Sequence, residues 1–293
     1  MLSRDRNGCE ISTFDGQQGS IKFLYDTAFG RLVLKILIRP FVSKTVGFIL
    51  NRRISCIFIK SFVKNNGIDM SDYEDKKYRS YNDFFTRKIK DGARNFSDNP
   101  EDLPAPCDSK LSVYKIGEDS HFSIKGGDYT VESLIKNKEL AKKYCGGYLM
   151  LFRLSVDDYH RYSYIDSGTK TKNTFIKGVL HTVNPHAAGR RTVYKENCRE
   201  YSVLKSDNFG DVLTVEVGAM MVGKIVNLHE EAAVKRGQEK GYFEFGGSTV
   251  ILCFEKDTVT PDSDLIKNTE DGFETIVKSG EKIGKSAKFA YYG

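Results

Sequence analysis

The sequence predicts an α+β protein in which N-terminal amphipathic helices precede a β-sandwich-like core. Three observations carry this expectation. Over residues 31–64, apolar side chains interleave with eight cations (Arg31, Lys35, Arg39, Lys44, Arg52, Arg53, Lys60 and Lys64) and no acid. After Pro104 the chain turns to short runs rich in β-branched and aromatic residues, separated by Gly and Asp, as antiparallel strands require. The pattern V-K-x-G-x-x-x-G occurs twice, over 234–241 and 277–284.

Taken in order, the first twenty residues are polar and Gly-rich and read as a loose start. They lack the apolar run of a signal peptide, and no stretch of 18 apolar residues follows, so no membrane span is expected. Residues 21–64 read as helical, interrupted at Pro40 and Gly47. Two readings fit this segment: a layer packed on the core with a solvated basic face, or a surface-seeking face whose cations meet phosphate. Residues 65–100 mix polar turns with the aromatic-basic segment Tyr81-Asn82-Asp83-Phe84-Phe85-Thr86-Arg87-Lys88, where Asn82 or Asp83 could cap a short helix. Strands are expected at 110–116, 148–154, 175–183, 212–217 and 249–254, and a helix at 131–144. Paired glycines in the repeated pattern suit tight turns between strands and suggest a pseudo-symmetric sandwich. The turn resembles that of lipoyl and biotinyl carrier domains, although the carrier lysine motif is absent.

Composition narrows the function. The 293 residues are 40% hydrophobic and 29% charged, a globular balance rather than a disordered one. The net charge is 45 − 39 = +6. Without the eight cations of residues 31–64 the remainder stands near −2, unlike a generally basic nucleic-acid binder. The six cysteines (Cys9, Cys56, Cys107, Cys145, Cys198 and Cys253) make no CxxC pair, which favours reduced thiols over disulfides and argues against a zinc site.

Of five histidines, His160 stands apart because Asp157, Asp158, Tyr159 and Arg161 surround it. Such a run can supply an acid, an oriented base and a guanidinium within one short turn. Asp108 follows Pro104-Ala105-Pro106-Cys107, so it is either a pre-positioned carboxylate or a turn aspartate bonded to its own backbone. Gly246-Gly247-Ser248 opens an apolar run. It is an ordinary turn into a strand, or a strained one in which Ser248 attacks the carbonyl before it.

Together these elements resemble the phosphatidylserine decarboxylases, a pyruvoyl-dependent family. The matching pieces are Phe84-Phe85-Thr86-Arg87, Pro106-Cys107-Asp108, Asp158-Tyr159-His160-Arg161, Val183-Asn184-Pro185, Phe209-Gly210, Val215-Glu216-Val217-Gly218-Ala219 and Gly241-Tyr242-Phe243 leading to Gly246-Gly247-Ser248-Thr249. They occur in the family's order across about 80–254. The resemblance implies self-cleavage between Gly247 and Ser248, which leaves a pyruvoyl group derived from Ser248. That group forms a Schiff base with phosphatidylserine, accepts the electrons left by departing carbon dioxide, and yields phosphatidylethanolamine. Asp108, His160 and Ser248 are the implied catalytic residues, with Asp158 as a second carboxylate able to assist His160. The chain departs from the family where a second histidine commonly follows three residues after the first. Ser163 stands there, and His181 is the candidate substitute.

The resemblance also favours the membrane-facing reading of the basic segment. It implies a helical membrane-facing region over 1–100, a β-rich catalytic domain over 101–293, and cleavage products 1–247 and 248–293. The expected place is the cytoplasmic side of the cell membrane, peripherally bound to anionic lipid. The expected partners are phosphatidylserine and the chain's own two fragments, with self-association left open and neither metal nor nucleic acid required. The alternatives are a pyruvoyl-dependent decarboxylase of another amino compound, and a non-enzymatic membrane-binding sandwich.

Overall fold

Charge pairing across the chain, rather than local periodicity, orders the first residues. The computed structural model describes residues 2–12, 18–124, 127–183, 185–188, 192–219, 224–246 and 248–289. Strands β1 (Leu2–Arg4) and β2 (Glu10–Ser12) form an antiparallel pair with Ser3 opposite Ile11. Arg4 reaches Asp271 at 2.7 Å, and Arg6 reaches Asp262 at 2.8 Å and Asp264 at 2.5 Å. The expected loose start is therefore wrong for residues 2–12, because partners some 260 positions away fix them.

Residues 18–65 are mostly helical: α1 (Gln18–Asp26), α2 (Ala28–Leu37), α3 (Pro40–Leu50), a 3₁₀ turn at Arg53–Cys56, and α4 (Ile57–Asn65). Thr27 caps α2 by accepting from the Gly30 amide. Pro40 opens α3 instead of breaking it, since a first-turn residue needs no amide donor. Tyr25 and Leu34 are buried, whereas Phe29, Leu32, Ile36, Phe41 and Ile57 are exposed. Helix α5 (Tyr81–Phe85) is capped by Ser80, which accepts from the Asp83 amide. Neither expected cap serves: Asn82 Oδ1 accepts the Phe245 amide at 3.0 Å, and Asp83 pairs with Lys76 at 2.8 Å.

The remaining elements are β3 (Asp102–Pro104), β4 (Ser109–Lys115), β5 (His121–Ile124), β6 (Gly127–Thr130), α6 (Val131–Ile135), α7 (Lys138–Lys142), β7 (Tyr148–Leu154), β8 (Arg161–Ser163), β9 (Gly168–Lys170), β10 (Thr174–Ile176), α8 (Pro185–Ala188), α9 (Val193–Glu196), β11 (Arg199–Ser206), β12 (Gly210–Gly218), β13 (Ile225–Asn227), β14 (Ala232–Val234), β15 (Glu239–Phe243), β16 (Ser248–Phe254), β17 (Val259–Pro261), α10 (Ser263–Glu270), β18 (Glu274–Val277) and β19 (Lys282–Ser286). The single helix expected over 131–144 is two, because Lys136 takes a left-handed conformation and Asn137 caps a fresh turn. The strand expected over 175–183 ends at Ile176, beyond which Val179 makes only an isolated bridge to Asn197.

The protein is thus a mixed α/β molecule built on one large sheet. Its strand order is β14-β9-β11-β12-β16-β7-β4-β18-β1-β2, with β10 on β11. Two three-stranded sheets, β13-β15-β8 and β17-β19-β3, flank it. From β14 to β18 the order reads alike from either end about the β12–β16 boundary. At each end one copy of the repeated pattern carries the chain from the large sheet into the middle of a small one. In both turns the glycine has positive φ, +75° at Gly237 and +82° at Gly280. In both, the next side chain, Gln238 or Glu281, accepts from the backbone two positions before the glycine at 2.9 Å. Both glycines abut Phe96, and at Gly280 a Cβ would collide with the Asn95 carbonyl. The echo in the sequence is a duplicated turn. The halves share the large sheet, so the two-halved sandwich suggested by the echo is replaced by one sheet with two small flanks. At its centre all seven residues of β16 are buried.

Candidate active site

The loop from β15 to β16 is the crossover between the two halves. Gly246 enters it with φ +131°, a conformation open to glycine, and Gly247 lies outside the described residues. Ser248 then begins β16, opposite Gly218 on one side and Leu154 on the other, with no exposed surface. The serine expected to open an apolar strand does so, and the strand is buried.

His160 meets it there. Its Nδ1 lies 3.4 Å from Ser248 Oγ, and its Nε2 lies 2.9 Å from the Ser155 carbonyl oxygen. A carbonyl only accepts, so Nε2 carries the proton and Nδ1 presents a lone pair to the hydroxyl. The imidazole has no exposed surface, and the Phe85 ring stacks on it at 4.0 Å. Burial first, and the Arg87 charge second, push its pKa down to about 3, so it is neutral at pH 7. A buried serine and a neutral, fixed imidazole base make a nucleophile with its proton acceptor.

The two aspartates do not touch this imidazole. Asp108 precedes β4, with β7 lying between β4 and β16. Two strand spacings, about 10 Å, separate those strands. Asp108 accepts from Arg94 at 2.9 and 2.6 Å and from the Ser279 amide at 2.8 Å, with Lys278 at 3.3 Å. Burial acts to raise its pKa, but Arg94, Lys278 and the Ser279 amide outweigh it and hold the carboxyl below its usual range. Its place is to anchor the turn after β18. Asp158 acts one step removed: it accepts the Ser155 amide at 2.6 Å and pairs with Lys110 at 2.8 and 2.7 Å. Burial raises its pKa against the pull of Lys110. It therefore positions the residue whose carbonyl orients His160.

The other candidates fall away from the pair. His181 Nδ1 bonds the Tyr25 hydroxyl at 3.0 Å, with Glu196 3.6 Å from Nε2. Its backbone amide meets Asn197, which donates to the Gly218 carbonyl at 2.8 Å. Ser163 ends β8, its amide bonded to the Pro106 carbonyl at 2.9 Å. Sequence reasoning missed Ser155 and Arg153. Arg153 donates to Ser155 Oγ at 2.9 Å and to Glu274 at 2.6 Å. No local pattern marks them, because Glu274 lies 121 positions from Arg153.

The sequence model of the phosphatidylserine decarboxylase family matches residues 81–285. The chain is 46% identical over 271 residues to phosphatidylserine decarboxylase proenzyme 2 of Clostridium acetobutylicum, covering 92% of this chain and 93% of that protein. It is 42% identical over 273 residues to the phosphatidylserine decarboxylase proenzyme of Fusobacterium nucleatum, covering 91% of each. With that of Clostridium tetani the identity is 39% over 288 residues, 97% of each. A match of this extent, containing both Ser248 and His160, shows that the chain belongs to the phosphatidylserine decarboxylase family.

Proposed function

We infer that this chain is a phosphatidylserine decarboxylase in proenzyme form, a carboxy-lyase that releases carbon dioxide from phosphatidylserine and leaves phosphatidylethanolamine. The observation that carries the reading is the buried Ser248–His160 pair at the head of a central strand, in a chain whose relatives bear that name over most of their length.

His160 Nδ1 takes the Ser248 hydroxyl proton as Oγ attacks the Gly247 carbonyl. The Gly247–Ser248 C–N bond breaks and an ester forms, with the proton passed to the freed amine. Removal of the Ser248 α-proton expels the Gly247 carboxylate and leaves dehydroalanine. Its imine tautomer hydrolyses, releasing ammonia and leaving a pyruvoyl group at residue 248. The site fits this precursor, since Ser248 Oγ is shielded from bulk water and faces a base. When present, the group supplies an electron sink for decarboxylation. The products would be chains 1–247 and 248–293. Their association is supported by β16 lying between β12 and β7, and by the Arg153–Glu274 and Arg6–Asp264 pairs that span the cut.

The same reading assigns helices α1–α4 to the cytoplasmic surface of the cell membrane. Its support is the set of exposed large side chains there, from Phe23 to Phe58, beside the cations of residues 31–64, a stretch without acids. No helix among the described residues is long and apolar enough to cross a membrane.

A denaturing gel with intact mass tests the first part. Two fragments are expected, the smaller beginning with pyruvate in place of Ser248. Carbon dioxide release from phosphatidylserine vesicles, set against soluble amino acids, tests the second. One uncut chain, or release from soluble amino acids alone, would overturn the reading.

A further inference from the structure

We propose that Arg87 is the subsite for the phosphodiester of the lipid headgroup, an inference that rests on the decarboxylase reading. Arg87 follows α5 and is 1% exposed. Its guanidinium lies over the Tyr73 ring at 4.2 Å and the Phe84 ring at 4.8 Å. One terminal nitrogen donates to the Tyr73 hydroxyl at 3.1 Å and to the carbonyls of Asp157 and Asp158 at 3.3 and 3.5 Å. Nε and the other terminal nitrogen are buried and bond nothing.

The other buried arginines are complete. Arg153 has Glu274, and Arg199, without a carboxylate, spends its three nitrogens on the carbonyls of Leu134, Asn197 and Ser133. Arg94, Arg161 and Arg236, less deeply set, have Asp108, Glu239 and Asp166. Arg87 alone of this group keeps two unspent donors, and a buried cation with open donors is costly until an anion completes it.

The guanidinium stands beside the backbone that leads into the reacting centre. Phe85, two residues earlier, stacks on His160, and the carbonyls that Arg87 bonds lie in the backbone leading into His160. The guanidinium charge also helps to keep that imidazole neutral.

Phosphatidylserine offers two anions. Its carboxylate loses its charge as carbon dioxide departs, so a guanidinium bonded to it would stabilise the ground state more than the transition state and slow the reaction. The phosphodiester keeps its charge throughout. An N–H left open on Nη1 or Nε can donate a charge-assisted bond to a phosphate oxygen.

The test compares the processed parent with Arg87→Gln and Arg87→Lys on two soluble substrates: dihexanoyl phosphatidylserine and the phosphate-free O-hexanoylserine. Arg87→Gln should raise KM about ten-fold or more for the phosphodiester and change it less than about two-fold for the other, with Arg87→Lys intermediate. Calorimetry with glycerophosphoglycerol, a diester with neither amine nor carboxylate, should show binding to the parent that is about ten-fold weaker in Arg87→Gln. Equal losses on both substrates, or unchanged affinity for the diester, would make Arg87 a structural clamp and overturn the proposal. Should Arg87→Gln fail to fold or to cut, Arg87→Lys must show the same split between substrates. A parent inactive on both substrates refutes the decarboxylase reading, and the calorimetry still decides the subsite.

Discussion

Helices α1–α4 and strand β16 treat apolar and charged side chains in opposite ways. Along the helices Phe29, Leu32, Phe41 and Ile54 are more than half exposed, and cations stand without acids from residue 31 to 64. Around β16 every strand residue is buried, and three nearby buried cations have matched carboxylates: Lys110 with Asp158, Arg153 with Glu274, Lys240 with Glu216. Water tolerates the first arrangement poorly, since exposed apolar area of this extent gains free energy once an apolar phase covers it. The second is the environment that chemistry on a backbone carbonyl needs, dry and fixed. The difference separates an exposed apolar and basic surface from an interior that shields the serine and its base.

The largest expected effect lies in the interior. Ser248→Ala removes the nucleophile and should leave one uncut chain on a denaturing gel. Two chains from that variant would remove Ser248 from the mechanism. His160→Ala removes the proton acceptor and should slow cutting by about 10²–10⁴-fold. Ser163→Ala and His181→Ala should be cut like the parent, because neither side chain bonds Ser248 Oγ. Normal cutting by His160→Ala would move the base elsewhere.

Smaller effects sharpen the boundary between the two regions. Glu274→Ala strands Arg153 in the interior and should cost about 3–5 kcal/mol in a denaturant melt, with vesicle binding by uncut protein unchanged. A loss below about 1 kcal/mol would mean that water reaches the pair. Replacing Arg52, Arg53 and Lys60, all exposed, by Glu should weaken binding to anionic vesicles by about 1 kcal/mol or more per residue, less so in high salt, while Gly247–Ser248 cutting proceeds. Flotation equal to the parent would return the helices to a packed layer.

A further effect concerns pH. The folded pKa of His160 is depressed to about 3, so between that value and the ordinary one near 6.5 the unfolded chain binds the extra proton. Its contribution to stability is complete above about pH 6.5 and falls by up to about 1.4 kcal/mol per unit as pH drops towards 3. His160→Gln should flatten that part of the acid limb in equilibrium unfolding. An unchanged limb would mean that the imidazole titrates normally.

What the sequence by itself determined is local or ordered along the chain. The β-rich texture after Pro104, the repeated turn, the serine opening an apolar run, and the histidine among acids were all legible, because strand patterning, glycine geometry and motif order are properties of neighbouring residues. Tertiary structure alone decided which of them meet. It brought His160 to Ser248 across 88 positions and gave the orienting bond to a backbone carbonyl, which no side-chain motif encodes. It drew Asp108 away to Arg94 and a distant turn, stitched residues 2–12 to acids near the other end, and left Arg87 buried with open donors. Hydrogen bonds and ion pairs are short-ranged in space but indifferent to separation in sequence, so their partners become visible only once the sheet has brought its strands together.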